Sequence, residues 1–249
     1  MAKIPKKIWL TYKTKELQGR AKECYESWKT MNPDYEVTLM DDDEIDSFIK
    51  DNFPESHYRA FKIVPLGVMR ADFWRYCIIY VEGGIYSDVD CYCKKPFEQL
   101  LNRYPEAEMI LDQENTSDYC NWCFCGTKGN SLLKTVIDFM VNRILCNVSN
   151  GRLVLHNEHF VHYYTGPSMF TEAIHKHIGF PGRDSKDGKG WIKPPIVLAQ
   201  GMLVTYDENN TSHAGEYIEH WFGGDCFNDG WYCGWKKEKD ILYECRKTE

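Results

Sequence analysis

The chain has 249 residues, 43% of them apolar, enough for one large domain with a single core. A net charge of −7, with 27% charged residues, describes an ordinary soluble surface and argues against nucleic acid as the partner. Aromatic residues reach 14%, with eight Trp and sixteen Tyr, so some rings are available to stack on sugars or bases.

Lys7 to Tyr12 reads as a first strand, and Glu16 to Met31 as a helix with Leu17, Ala21, Cys24, Tyr25 and Trp28 at helical spacing. Asn32-Pro33 ends it. Tyr35 to Met40 alternates like a strand, and Asp41 to Asp43 cap a short helix reaching Asn52. This strand–helix–strand–helix order opens a parallel α/β sheet. Pro54 to Ile63 is a further helical segment, and Leu66 to Val81 a stronger helix stopped by Gly83-Gly84. Ile85 to Asp90 is a strand running into Asp88-Val89-Asp90, followed by strands at Glu108 to Asp112 and Asn121 to Thr127. Ser131 to Cys146 is an amphipathic helix with Leu132, Leu133, Val136, Phe139, Met140 and Ile144 inside. Further on, Pro167 to His177 reads as a helix, Ile196 to Gln200 as a strand, and His220 to Trp235 as loop. No repeat or linker divides the chain, which is read as one domain, 1–249, with a nucleotide-sugar half (1–128) and an acceptor-side, closing half (129–249).

Two carboxylates at a strand end point toward the crevice where open α/β sheets bind ligands. Asp88 and Asp90 therefore suit a hard divalent cation, Mn²⁺ or Mg²⁺, which shares its shell with phosphate oxygens. A bare D-x-D is weak evidence, and a solvated acidic turn is its rival. On the preceding helix Asp72 and Arg75 lie three apart and share a face. They offer donors and acceptors for sugar hydroxyls, or simply pair with each other. Cys91-x-Cys93 with Cys120-x-x-Cys123-x-Cys125 could mimic zinc ligands, but a single CxxC falls short of a structural zinc pattern. His156, His159 and His162 are read as surface or acceptor contacts, and Gly166-Pro167-Ser168 as a helix start able to face an anion.

The ordered blocks IPKKIW, SWKTMNPDYEV, MRADFWRYCIIYVEGGIYSDVD, YYTGP and HWFGGDCFNDGW resemble glycosyltransferase family 32 from Ile4 to about Trp231. This is the DXD-containing group of yeast α-1,6-mannosyltransferases and bacterial capsule enzymes, with clostridial toxin glucosyltransferase domains more distant. The resemblance implies a GT-A fold, an α/β domain whose mostly parallel central sheet is flanked by helices, and retention of anomeric configuration. It implies that Trp9 stacks on the nucleotide base, and that Asp72 and Arg75 bind donor sugar and ribose. Tyr86 flanks the ribose or sugar, Asp88 holds donor hydroxyls or a metal-bound water, and Asp90 ligates the metal. His220 and Trp231 close over the diphosphate, with His220 a further metal ligand. In this sequence the His220 to Trp231 spacing is longer than the family pattern, so Trp221 or Trp235 can compete with Trp231.

The expected function is metal-dependent transfer of a hexose from a UDP- or GDP-sugar to a glycan or lipid-linked glycan. The alternative is a non-catalytic sugar-nucleotide- or glycan-binding protein on the same fold. A phosphatase of the haloacid dehalogenase type also uses Asp-x-Asp, but there the pair lies on the first strand. No apolar run is long enough to span a bilayer and no secretory signal is evident. A cytoplasmic protein is expected, peripheral to a membrane if its acceptor is lipid-linked.

Overall fold

The computed structural model describes residues 3–113, 118–179, 196–199, 202–203, 213–220 and 234–247. In chain order the first half comprises β1 (Lys7–Thr11), α1 (Gly19–Met31), β2 (Glu36–Met40), α2 (Asp42–Asn52), α3 (Glu55–Ile63), α4 (Gly67–Glu82), β3 (Gly84–Ser87), β4 (Cys91–Cys93), α5 (Phe97–Arg103), β5 (Met109–Leu111) and β6 (Cys123–Gly126). The second comprises α6 (Ser131–Leu145), β7 (Val148–Ser149), β8 (Arg152–Leu153), α7 (Phe160–Tyr164), α8 (Pro167–Ile178), β9 (Ile196–Leu198), β10 (His213–Ala214), β11 (Ile218–His220) and α9 (Gly234–Lys247).

Six strands form the central sheet in the order β2-β1-β3-β6-β5-β9. β1 pairs parallel with β2 and β3, and β5 pairs parallel with β9. β6 alone in this sheet runs against its neighbours, pairing antiparallel with both β3 and β5. A three-stranded sheet, β10-β11-β4, stands beside it. The fold is thus the α/β architecture expected, with helices flanking a mostly parallel sheet. Among the described residues no helix is long and apolar enough to cross a membrane.

Strand alternation divides the core in two. Trp9, Tyr86 and Phe124 lie side by side across β1, β3 and β6 and face α4, α6 and α8. Ile8, Leu10, Ile85, Cys123 and Cys125 face the other way, toward Trp28 of α1 and Phe97 of α5. Local signals set several boundaries. Asp41 caps α2 through Glu44, whose side chain returns the bond in a full capping box. Gly83 stops α4 with φ 70°, and a Cβ there would lie 2.7 Å from the Lys128 nitrogen. At Gly84, with φ 109°, a Cβ would meet the Lys7 carbonyl oxygen at 2.5 Å, so the close approach of β3 to β1 needs glycine.

Two expectations change. The strand expected over Ile85 to Asp90 ends at Ser87, because the Cys91 amide bonds back to the Asp88 carbonyl at 3.1 Å and turns the chain there. Asn157 to Tyr164 contains the short helix α7, whose N-cap is His159. The loop expected from His220 onward starts instead with a strand residue, since His220 pairs with Cys91 in β4.

Candidate active site

The link from α4 to β3 explains why Asp72, Arg75 and Asp88 meet. α4 ends at Glu82, Gly83 reverses the chain, and β3 begins at Gly84. The first half of α4 is therefore carried back along the sheet toward the end of β3, where Asp88 emerges. Asp72 and Arg75 occupy one face of that half-helix. Arg75 Nη2 lies 2.9 Å from Asp72 Oδ1 and 3.0 Å from Asp88 Oδ1, and Nη1 donates to the Asn121 carbonyl at 2.8 Å. The guanidinium also sits 4.7 Å above the Tyr86 ring. Burial works against its charge, but Asp88, Tyr86 and Asp72 hold it well above the ordinary arginine range.

Asp72 is 4% exposed and its acceptors are taken. Oδ1 receives Arg75 and the Asn121 side-chain amide, and Oδ2 receives the Thr165 hydroxyl at 2.8 Å. Tyr76 extends the network, accepting from Asn121 and donating to the Thr165 carbonyl. Apart from the buried Arg75 Nε, which has no hydrogen-bond partner among the described residues, the network's polar atoms bond one another, which favours a fixed arrangement. Asp72 and Arg75, expected to touch sugar and ribose, are here turned onto each other and onto Asp88.

Tyr86 differs from expectation for a related reason. It lies on the α4 face of the sheet, fully buried against Trp74 and Phe124. Its hydroxyl donates to Asp88 Oδ1. Trp9, one strand over in the same row, is 7% exposed and donates its indole N–H to the Gly83 carbonyl at 2.9 Å. Sheet alternation places that ring in the core, which leaves it little face to offer a base.

Asp88 itself is the partly open member of the set, with a side chain 21% exposed. Burial raises its carboxyl from the ordinary 3.8 to about 6; Asp90 adds to the rise, while Arg75 and the Tyr86 hydrogen bond oppose it. Its amide donates to the Trp122 carbonyl at 2.8 Å, which fixes the turn.

Asp90 and His220 form the second half of the site. β11 pairs with β4 so that His220 stands opposite Cys91, the residue next to Asp90. His220 Nε2 comes within 3.3 Å of Asp90 Oδ1, and the Trp122 ring packs against the imidazole with centroids 4.6 Å apart. A carboxylate and an imidazole this close suit a divalent cation, and Asp88 stands two residues before Asp90 in the chain. Trp231, Trp221 and Asp225 lie outside the described residues, as does the side chain of Trp235.

The expected cysteine pattern does not form a zinc cluster among the described residues. Cys91, Cys93, Cys120, Cys123 and Cys125 are all buried, yet the group of metal-capable atoms that converges is Asp90, Cys91 and His220. His156 and His159 are exposed. His162 is half-buried, and burial lowers its basicity. Asn121, Thr165 and Tyr76 escaped sequence reasoning. Thr165 stands in the YYTGP block, which was the one signal available for it.

A mixed sheet with a reversed strand between β3 and β5 carries, at the end of β3, an acidic pair beside a buried Asp–Arg helix. The family described as "Glycosyltransferase sugar-binding region containing DXD motif" matches residues 18–114. The chain is 26% identical over 208 residues to the Candida albicans "Initiation-specific alpha-1,6-mannosyltransferase", covering 70% of this chain and 53% of that one. It is 39% identical over 98 residues to the Schizosaccharomyces pombe "Inositol phosphoceramide mannosyltransferase 2", covering 39% of this chain and 28% of that one. The chain thus spans about half the length of the first relative, and less of the second. Among solved structures, "PaToxG Glycosyltransferase" shares the fold, with a TM-score of 0.54, 19% identity, and 71% and 70% of the two chains covered. Residues 18–114 thus match a DXD-containing glycosyltransferase family, in line with the resemblance to family 32.

Proposed function

We propose that the chain transfers a hexose from a UDP- or GDP-sugar to a hydroxyl of a glycan or lipid-linked glycan, with retention of configuration. Mannose is the first sugar to test, because relatives are named as mannosyltransferases. The observation that carries this reading is the pairing of Asp88 with Arg75 just past the end of β3 and, two residues on, of Asp90 with His220.

Asp90 and His220 would hold Mn²⁺ or Mg²⁺, with Asp88 beside them on the donor side. Such a cation, when bound, neutralises charge that develops on the departing diphosphate. Asp88 presents its open oxygen to donor hydroxyls or to a bound water, while Arg75 and Tyr86 fix its orientation from behind. Because these bonds exist before the donor arrives, little reorganisation is needed during reaction. Trp231 remains the candidate for closing over the diphosphate.

No carboxylate in the network is free to attack the sugar, since Asp72 is fully engaged and Asp88 is anchored by Arg75. The reading is therefore a same-face substitution. The anomeric carbon–oxygen bond to the diphosphate breaks as the acceptor oxygen bonds to that carbon. The acceptor proton passes to the departing diphosphate oxygen. The protein's part is to orient donor and acceptor and to keep the carboxylates and guanidinium in place.

The test is product release from a panel of UDP- and GDP-hexoses with Mn²⁺, with and without glycan acceptors. Release of nucleoside diphosphate together with a new glycoside supports the reading. Tight donor binding with no turnover across the panel would favour the non-catalytic alternative. The reading also places the protein in the cytoplasm, against a membrane if the acceptor is lipid-linked.

A further inference from the structure

Cys91 has no task in the reaction just described. It opens β4, is fully buried, and stands in register with His220 across the strand pair. A carboxylate oxygen of Asp90, the Cys91 sulfur and a ring nitrogen of His220 all lie within 4.8 Å of one another. Burial pushes the Cys91 thiol well above its ordinary range, and the Ser87 hydroxyl is a hydrogen-bond partner.

The donor set of this trio differs from that of the carboxylate pair. Oxygen ligands suit Mg²⁺ and Mn²⁺, whereas one oxygen, one nitrogen and one sulfur suit a borderline or soft ion such as Zn²⁺. Zinc binds sulfur at about 2.3 Å and imidazole nitrogen at about 2.0 Å. Two such ligands on one ion therefore stand no more than about 4.3 Å apart. The trio's atoms, within 4.8 Å of one another, would have to draw together by at most about 0.5 Å to reach that limit. Backbone pairing already fixes Cys91 opposite His220, so the cost of assembling the trio is low.

We propose that Asp90, Cys91 and His220 form a thiophilic cation site overlapping the donor-metal site, in which Zn²⁺ binds through the Cys91 sulfur and competes with the hard cation. On binding, a bond forms between sulfur and the ion, and the thiol proton passes to solvent. Asp90 and His220 are shared between the two modes, and Cys91 distinguishes them. Zinc would therefore inhibit a protein that manganese supports. The inference rests on the three side chains and not on the transfer reaction, so it is tested with metal alone.

Zn²⁺ and Mn²⁺ are each titrated into the full chain against a chromophoric chelator, without sugar nucleotide. The Cys91→Ser variant is expected to bind Zn²⁺ about tenfold or more weakly while its Mn²⁺ affinity stays within about twofold of the parent. Loaded with Co²⁺, the parent should show a sulfur-to-cobalt charge-transfer band in the near ultraviolet that Cys91→Ser lacks; the exposed Cys146 and Cys245 are common to both proteins. Equal Zn²⁺ affinity in parent and variant, or an unchanged band, would overturn the proposal. If Cys91→Ser does not fold, zinc-edge X-ray absorption on the parent decides. A sulfur neighbour near ~2.3 Å supports the site, and nitrogen and oxygen neighbours alone refute it. Zinc binding with no transferase activity would leave this inference standing while the proposed reaction fails.

Discussion

His220 Nε2 lies 3.3 Å from Asp90 Oδ1, although the two residues stand 130 positions apart in the chain and meet through the pairing of β11 with β4. The acidic motif is thus completed by a strand far downstream. His220→Ala is expected to weaken Mn²⁺ binding by about tenfold or more. Thermal unfolding without metal should be nearly unchanged, because the imidazole sits at a strand end. Calorimetric Mn²⁺ titration checks this; unaltered affinity would detach His220 from the metal.

Arg75 carries two carboxylates in a site almost closed to solvent. Removing its charge while keeping bulk, as in Arg75→Met, leaves Asp72 and Asp88 facing each other without compensation. A loss of about 3–5 kcal/mol of stability is expected by denaturant titration. Arg75→Lys keeps the charge but cannot reproduce the fork that reaches Asp72, Asp88 and the Asn121 carbonyl together. It should fold and show a lower kcat.

Tyr86 bonds Asp88 through its hydroxyl, and its expected effect on the donor is through that carboxylate. Tyr86→Phe removes one hydroxyl but keeps the ring packed against Trp74 and Phe124, and it should fold normally. Losing a hydrogen bond to a charged group is worth about 1.5 kcal/mol, or roughly tenfold in kcat/KM. A drop in kcat with donor KM held marks a positioning role; a selective rise in KM would show that Tyr86 touches the donor after all.

The raised carboxyl of Asp88 has a consequence for the metal-free protein. Its folded value, about 6, lies above the ordinary 3.8, so the native state holds the proton more tightly than the unfolded chain. Between those values native stability falls as pH rises, and it levels off above about 6. Asp88→Asn abolishes this contribution. The difference in melting temperature, variant minus parent, should therefore grow from pH 4 to pH 6 and then stay constant. A flat difference across that window would contradict the assignment.

The sequence carried much of this site because its key turns are local. Gly83-Gly84 marked the reversal that brings α4 back along β3, Asp41 marked the start of α2, and the three-residue spacing of Asp72 and Arg75 placed them together. What stayed hidden depends on distant pairing. β4, a three-residue Cys-Tyr-Cys strand, has no alternating pattern long enough to read, and its partner β11 is equally short. Asn121 and Thr165 enter the network only because β6 and α8 pack beside α4. The facing of Trp9 and Tyr86 was open to sequence reasoning: both stand in one row with Phe124, so strand alternation sends all three to the α4 side. Trp9→Phe is accordingly expected to lower the melting temperature while changing donor KM by less than about threefold, since a core ring contributes packing and not base contact. A large KM effect without loss of stability would restore the stacking role.

The central claim is that Asp90 holds the cation against the diphosphate of a nucleotide sugar. Its most direct measurement is nucleoside diphosphate release from the best UDP- or GDP-hexose, with Mn²⁺ present or chelated, in the parent protein and in Asp90→Asn. Release that needs Mn²⁺ in the parent and is lost in Asp90→Asn is the result predicted. Full Mn²⁺-dependent release by Asp90→Asn would contradict it.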